Sequence, residues 1–310
     1  MARIEKRVLT SEADGLGLAL VVVEPEGEPV ALIQLAHGMT EHKGRYLPFM
    51  EFLAEQGFAC VMNDHRGHGE SVRDKGDLGY FYEGGAEALV RDMHQVSGWF
   101  RARHPGKRLL LFGHSMGSLA ARVYMQHWDG DIDGVVLCGV PGKNGLVGVG
   151  LVLLRVMAAI MGQRHVSGLL KKMLTGMFKK GLPREEASDS AWLSTDREVV
   201  LSYDEDPLCG FGFTLNGYIA LFELMRDAHR VEPAKNPGLP VHFVSGEDDP
   251  VAPDAEGFEA SVDVVRQSGY TRVTAKRYPG MRHELITHRN HRQVYEDLAE
   301  VFSSMAGRGK

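Results

Sequence analysis

The sequence is poor in cysteine and has no apolar leader segment near its start. It contains 3 cysteines in 310 residues, with no Cys-x-x-Cys spacing, and Cys60 and Cys138 fall inside short apolar runs. Such positions favour buried free thiols over disulfides or zinc ligands. The opening residues, MARIEKRVLTSEADG, carry charges throughout and include no apolar stretch of signal-peptide length. Both features predict a cytoplasmic protein in a reducing compartment.

The sequence also lacks an excess of positive charge. Its 35 Lys and Arg residues against 41 Asp and Glu residues give a formal net charge of -6. No stripe of basic residues offsets this balance, so we expect no nucleic-acid partner. The hydrophobic content of 44% is ordinary for a globular protein, and the chain is long enough to bury a sizeable core.

Short apolar runs rich in branched residues recur along the chain, and helical periods separate them. Strands that alternate with helices predict an α/β fold with a mostly parallel, doubly wound sheet. Residues 5–23, with Asp14 and Gly15 between two apolar runs, predict an antiparallel hairpin at the sheet edge. The other strand-like runs occupy residues 29–38, 57–67, 107–115, 133–142, 239–249 and 271–278.

The connection between the runs at 133–142 and 239–249 is far longer than the usual loop of about two to six residues. It contains GLVGVGLVLLRVMAAIMG (145–162), in which Arg155 is the only charge. Its length would allow a membrane span, but its glycines and central arginine disfavour one. We expect an apolar helix in a lid that covers a pocket or rests on lipid, with Leu151 and Leu154 on the docking face.

One serine stands between two glycines where a strand-like run meets a helical pattern. In LLLFGHSMGSLAARVY (109–124), Ser115 occupies the predicted strand-to-helix turn, and Gly113 and Gly117 remove side chains that would collide with the strand and the helix. Gly-x-Ser-x-Gly in this context predicts a nucleophile elbow. The simpler alternative is a helix N-cap serine beside turn glycines.

A serine nucleophile needs a base and an orienting acid, and both follow later in the chain. The acid comes from Glu247, Asp248 or Asp249, directly after a predicted strand. We favour Asp249, in the pattern Gly-x-x-Asp-x-Val, with Asp248 as the alternative. His283 follows the last predicted strand and is the expected base.

Two other histidines, His288 and His291, fall toward the next helix, and we expect them at the surface. The expected oxyanion hole consists of two backbone N–H groups. Met116 follows the serine, and Met39 lies in the turn AHGMTEH (36–42), where Gly38 lets the backbone approach the substrate.

Three further motifs do not predict a metal or a cofactor. HELITH (283–288) spaces its histidines five residues apart, so they would not share a helix face. DHRGHGES (64–71) follows a predicted strand, and its glycines and Arg66 indicate a turn that holds the sheet together. GLVGVG (145–150) has no preceding strand and no acidic ribose partner. We therefore expect no metal and no cofactor.

Five segments together resemble the monoacylglycerol lipase and lysophospholipase branch of the α/β-hydrolases, which is similar to the serine aminopeptidases. They are HGMTEHKGRY (37–46), DHRGHGES (64–71), GHSMGS (113–118), GEDDPV (246–251) and GMRHE (280–284). The resemblance implies an α/β-hydrolase core at residues 1–140 and 233–310 and a helical cap at residues 141–232. It also implies that Ser115, Asp249 and His283 act as a catalytic triad.

These observations predict a serine carboxylester hydrolase that cleaves a single-acyl lipid, a monoacylglycerol or a lysophospholipid, through an acyl-enzyme. The expected partners are a small lipid or ester substrate and, through the lid, the surface of a membrane. Two alternatives remain. The chain could hydrolyse small soluble esters, amides or peptides on the same scaffold, or it could be a ligand receptor whose triad is vestigial.

Overall fold

Eight strands form one sheet through the centre of the protein. The computed structural model describes residues 2–179, 182, 188–251, 255–288 and 291–307. The strands are β1 (Arg3–Thr10), β2 (Gly17–Glu24), β3 (Leu32–Ala36), β4 (Ala59–Asn63), β5 (Leu109–His114), β6 (Gly134–Cys138), β7 (Pro240–Gly246) and β8 (Arg272–Tyr278). Their order across the sheet is β1-β2-β4-β3-β5-β6-β7-β8.

The sheet is parallel from β4 to β8 and antiparallel at one edge. β1 pairs antiparallel with β2, and β2 pairs antiparallel with β4, whereas all other neighbours pair in parallel. The predicted mostly parallel sheet and the predicted edge hairpin are therefore confirmed. Both arise from the sequence pattern, since the inner strands are continuous apolar runs and the outermost strand β1 is largely exposed.

Helices cover both faces of the sheet. They are α1 (Leu47–Glu55), α2 (Gly85–Arg103), α3 (Met116–Trp128), α4 (Val147–Met161), α5 (Gly168–Phe178), α6 (Arg197–Glu205), α7 (Leu215–Ala228), α8 (Ala255–Gln267) and α9 (His291–Met305). Side chains of α1 and α9 pack on one face, and those of α2, α3, α7 and α8 pack on the other. Strand β5 shows the alternation, because Leu109 and Leu111 enter one core while Leu110 and Phe112 enter the other.

The long connection between β6 and β7 holds helices α4 to α7. Helix α4 buries Val147, Leu151 and Leu154 against the protein. The expectation that Leu151 and Leu154 lie on a docking face is therefore wrong, because the helical period turns them inward. The outer face of α4 is apolar as well, with Val149, Val152, Leu153, Val156 and Ile160 each at least half exposed. Among the described helices, none combines the length and the apolar character needed to cross a bilayer.

Arg66 connects the turn after β4 to three other parts of the chain. Its side chain is fully buried, and its Nε donates to Asp92 of α2 over 2.8 Å. Its Nη1 donates to the carbonyl oxygens of Phe81 and Glu83 and lies 3.3 Å from Asp14 in the turn of the edge hairpin. The turn-holding role expected for this segment is therefore visible in its contacts.

Replacing Arg66 with methionine should strongly destabilise the fold. Arg66→Met leaves Asp92 buried without its cation, and breaking such a pair costs about 3–5 kcal/mol. The free energy of unfolding, measured in urea, should fall by that amount. Arg91→Met is the matched control, because Arg91 is exposed on the same helix as Asp92 and pairs with exposed Glu87. Its effect should stay within about 0.5 kcal/mol; equal losses in the two variants would contradict the role of Arg66.

Candidate active site

Ser115 stands in the turn between β5 and α3 on a backbone conformation that ordinary residues avoid. Its φ is 52° and its ψ is -117°. A Cβ on Gly113 would lie 2.4 Å from the carbonyl oxygen of Gly117, and a Cβ on Gly117 would lie 2.2 Å from the carbonyl oxygen of Ala36. Any side chain at either position would block this approach, which explains why glycines flank the serine.

Asp249 and His283 form a buried pair. His283 Nδ1 lies 2.9 Å from Oδ2 and 3.1 Å from Oδ1 of Asp249, and the N–H of Val251 donates to the same carboxylate over 2.9 Å. Burial alone would raise the pKa of Asp249, but the charge and hydrogen bond of His283 and the Val251 N–H lower it below the ordinary value. Asp248, the alternative acid, is exposed. The geometry favours Asp249 as the partner of His283.

The free nitrogen of His283 lies in the same region as Ser115. His283 Nε2 is buried and has no hydrogen-bond partner in the described parts of the chain. A Cβ on Gly139, just after β6, would lie 3.1 Å from the His283 ring, and the N–H of Ser115 donates to Cys138 at the end of β6. The three predicted triad residues thus follow β5, β7 and β8 at the carboxyl end of one sheet.

Met39 and Met116 present backbone N–H groups beside the serine. Met116 is the first residue of α3, so its N–H has no acceptor within the helix. The N–H of Met39 also has no acceptor among the described residues, whereas its neighbour Thr40 donates to His68 Nε2. Gly38 places the Met39 turn against the serine, because a Cβ on Gly38 would lie 3.2 Å from Ser115 Cβ. The two predicted donors are therefore available.

Three buried histidines, His37, His65 and His68, pack beside the Met39 turn. The ring centroid of His37 lies 4.2 Å from that of His65 and 5.1 Å from that of His68. His37 Nδ1 donates to the carbonyl oxygen of Gly38, and His68 Nε2 accepts from Thr40. Burial lowers the pKa of His65 to about 3 and that of His68 to about 4, so both rings are neutral near pH 7. Uncharged rings can pack together here without repulsion.

Sequence reasoning missed a second polar group around Glu41. Five side chains form it, all of them connected by hydrogen bonds: Glu41, Arg45, Tyr46, His114 and Glu284. The segment EHKGRY (41–46) carried the only available signal, a cluster of charged residues directly after a predicted strand. Nothing in the sequence indicates that Glu284, more than two hundred residues later, completes the group.

The two histidines expected at the surface differ in burial. His288 is buried, and its Nε2 lies 2.8 Å from Thr195 Oγ1 in the connection between β6 and β7. The surface expectation for His288 is wrong, because the sequence pattern does not show that this connection folds over it. His291 is half-buried at the start of α9, and its Nδ1 donates to the carbonyl oxygen of His288.

A cavity of about 230 Å³ adjoins the Met39 turn. Most of its lining comes from the connection between β6 and β7, and aromatic and aliphatic side chains alternate there with polar ones such as Lys171 and Asp204. Trp192 also contacts the proposed base, with its ring centroid 5.2 Å from that of His283. The lining residues include Met39, Leu174, Phe178, Trp192, Phe211 and Tyr218. The aromatic and aliphatic part of this cavity can therefore receive an apolar group beside the Met39 turn.

Metal-type ligands come together at one place in the described parts of the chain. Single ligand atoms of His42, Asp206 and Cys209 lie within 4.8 Å of one another. His42 Nε2 lies 2.9 Å from Asp206 Oδ2, so a hydrogen bond explains why these two side chains are close. Burial raises the pKa of the Cys209 thiol, which disfavours the thiolate that a metal would need. The group does not favour a metal centre.

Comparison with known proteins identifies the family of this chain. The family model for "Serine aminopeptidase, S33" matches residues 27–290. Monoacylglycerol lipase from Mycolicibacterium smegmatis is 30% identical over 285 residues, which is 92% of each chain. Human monoglyceride lipase is 27% identical over 293 residues, covering 94% of this chain and 86% of the relative.

A solved structure is similar over nearly the whole chain. A thermostable carboxyl esterase from Bacillus coagulans, in complex with glycerol, superposes with a TM-score of 0.90 at 25% identity and covers 99% of both chains. The monoacylglycerol lipase of Paleococcus ferrophilus has the same fold, with a TM-score of 0.67 over 93% of this chain at 23% identity. The chain therefore belongs to the serine aminopeptidase S33 family of α/β-hydrolases and is a serine hydrolase related to the monoacylglycerol lipases.

Proposed function

We propose that this enzyme hydrolyses the ester bond of a single-acyl lipid, such as a monoacylglycerol or a lysophospholipid, with Ser115, His283 and Asp249 as its catalytic triad. One observation carries the proposal. A buried Asp249–His283 pair leaves His283 Nε2 without a partner among the described residues, at the same end of the sheet as a serine on a strained turn. This arrangement is what nucleophilic catalysis by a serine requires.

In the first half of the reaction, Ser115 Oγ attacks the ester carbonyl carbon while His283 Nε2 takes the hydroxyl proton. Asp249 accepts the hydrogen bond from Nδ1 and stabilises the imidazolium. The N–H groups of Met39 and Met116 donate to the oxyanion of the tetrahedral intermediate. His283 then protonates the leaving alcohol, the carbon–oxygen bond breaks, and an acyl-serine remains.

In the second half, His283 takes a proton from water, and the resulting hydroxide attacks the acyl carbon. The tetrahedral intermediate collapses, Ser115 Oγ leaves, and the proton returns from His283 to the serine. The fatty acid is released and the enzyme is restored. Atoms and electrons balance with water as the only co-reactant, so the proposed cycle uses no cofactor and no metal.

The cavity and the relatives support an acyl lipid as substrate. The apolar lining near Met39 suits a hydrocarbon chain, and the alcohol portion of the ester can meet the polar groups Thr40 and Tyr203 at the same cavity. Relatives over most of the chain are named monoacylglycerol lipase and monoglyceride lipase. These observations favour an acyl lipid over acetate esters or peptides.

We further propose that residues 141–232 act as a cap and that its outer surface docks on lipid. Helix α5 also exposes apolar side chains, because Leu169, Met173 and Met177 are each more than half exposed. Lys143 and Lys172 are exposed nearby. An apolar surface of this extent with basic residues beside it suits contact with a lipid aggregate or a membrane surface.

The substrate class can be tested with p-nitrophenyl esters of two to sixteen carbons, assayed beside 2-monoacylglycerol and lysophosphatidylcholine. We expect higher kcat/KM for medium or long chains than for acetate, and the two lipids will identify the head group. A preference for acetate, or labelling of Ser115 by a fluorophosphonate without ester turnover, would overturn the lipid assignment and favour small esters or amides.

Ser115→Ala should abolish turnover and leave the fold intact. The alanine removes the nucleophile, so kcat should fall by at least about 1,000-fold while the melting temperature stays close to that of the wild type. Steady-state kinetics and thermal unfolding measure the two effects. Residual hydrolysis clearly above that level would identify another nucleophile.

Asp249→Asn should reduce kcat by about 10,000-fold, because an asparagine amide favours the wrong tautomer of His283. Asp248→Asn is the matched control, since Asp248 is the neighbouring carboxylate and is exposed. Its kcat should remain within about two-fold of the wild type. The opposite pattern in steady-state kinetics would make Asp248 the triad acid.

Polar substitutions on the outer face of α4 should affect lipid aggregates selectively. Leu153→Gln with Ile160→Gln removes two apolar side chains that are 60% and 79% exposed. The rate on dispersed lipid should fall by about ten-fold, and the rate on a short soluble ester should stay the same, because only the first requires docking. Val8→Gln on β1, where the side chain is 72% exposed, is the control. Equal losses on both substrates would exclude lipid docking by this face.

A further inference from the structure

The carboxylate of Glu41 lies between the two halves of the candidate site and has no part in the proposed chemical steps. The residue is 3% exposed and follows the Met39 turn by two positions. Its two oxygens contact four groups from three separate segments of the chain. Burying a carboxylate costs free energy, and hydrogen bonds from well-placed donors offset that cost. The position of Glu41 therefore depends on these four groups, and theirs depends on Glu41.

One pair of contacts reaches the oxyanion side. The N–H of Gly38 donates to Glu41 Oε1 over 2.5 Å, and the hydroxyl of Tyr46 donates to the same oxygen over 2.8 Å. Gly38 directly precedes Met39, the proposed oxyanion donor. This hydrogen bond holds the backbone at Gly38, directly before Met39. The carboxylate therefore fixes the turn that presents Met39.

The other contacts reach the loop of the general base. His114 Nδ1 lies 3.2 Å from Glu41 Oε1, and His114 Nε2 donates to the backbone carbonyl oxygen of His283 over 3.2 Å. Arg45 Nη1 donates to Glu41 Oε2 over 2.6 Å, and the same guanidinium forms a bidentate pair with Glu284 at 2.7 and 2.6 Å. Glu284 directly follows His283. Glu41 thus holds the base loop through two separate bridges.

The ionisable side chains along these bridges shift one another's pKa values. Burial alone would raise the pKa of Glu41, but its bond to His114 and the charge of Arg45 hold it well below the ordinary value. Burial alone would lower the pKa of His114, yet its bond to Glu41 and the charges of Glu41 and Glu284 raise it. Glu41 is therefore a carboxylate near neutral pH, and its charge pairs with Arg45 and favours the protonated form of His114.

We propose that Glu41 is a positioning residue that holds the oxyanion turn and the His283 loop in a fixed relation to each other. The inference rests on the proposed function, in which Met39 and His283 act on opposite sides of the ester carbon. A small displacement between these two elements would misalign the transition state while leaving the cavity that binds the acyl chain in place. Such a displacement, on the order of 1 Å, can cost about 100-fold in rate.

The test is Glu41→Gln, which keeps the size of the side chain and removes its charge. In steady-state kinetics on the best ester, kcat should fall by about 100-fold and KM should change by less than about three-fold. A boronic acid, which mimics the tetrahedral intermediate, should bind more weakly by a similar factor. If Glu41 only stabilised the fold, Glu41→Gln would lower the melting temperature without a selective fall in kcat at unchanged KM.

Asp92→Asn is the matched control, because Asp92 is also a buried carboxylate paired with a buried arginine, Arg66, but lies outside the site. Asp92→Asn should lower the melting temperature about as much as Glu41→Gln does, and it should leave kcat within about two-fold of the wild type. If Glu41→Gln does not fold, Tyr46→Phe removes one donor to the carboxylate and should lower kcat by about ten-fold at unchanged KM.

The outcomes separate this inference from the proposed function. A wild-type enzyme without ester hydrolysis would overturn the proposed function itself. An active wild type would overturn the positioning role if Glu41→Gln kept kcat within about two-fold, or lost no more kcat than Asp92→Asn at an equal loss of melting temperature. An active wild type whose folded Glu41→Gln variant loses kcat and boronate affinity together would establish the role.

Discussion

The close approach of helix α3 to the end of strand β3 is the constraint on which the site depends. It requires glycine at positions 113 and 117, and it forces Ser115 into a conformation that costs about 1–3 kcal/mol. The surrounding strands are buried on both faces and are rigid enough to hold that strain. In return, the first free N–H of α3 comes to lie beside the turn after β3. One steric arrangement thus places the serine and both candidate oxyanion donors.

The polar groups behind the site satisfy a different requirement. Burying an isolated charge costs several kcal/mol, so a buried charge in this region needs an oppositely charged or hydrogen-bonding partner. The Arg45 guanidinium lies between the carboxylates of Glu284 and Glu41, and His114 lies 3.2 Å from Glu41. The three histidines at the other side of the Met39 turn avoid the same cost by staying neutral. The polar side chains named here are therefore buried either with a partner or without a charge.

The sequence allowed much of this arrangement to be predicted, because its signals are local. Continuous apolar runs identify the inner strands, and the Gly-x-Ser-x-Gly turn, the acid after β7 and the histidine after β8 each follow a strand end. The inward direction of Leu151 and Leu154 could not be predicted, because α4 is apolar on both faces and periodicity does not distinguish them. The burial of His288 and the pairing of Arg45 with Glu284 depend on contacts between distant segments, which no local pattern records.

The contact between Trp192 and His283 connects the long insertion with the chemistry of the core. Trp192 is one of 3 tryptophans in the chain, and the other two, Trp99 and Trp128, belong to helices α2 and α3. Because Trp192 lies against the His283 ring, light emission from its indole reports on the surroundings of that histidine, over a background from Trp99 and Trp128.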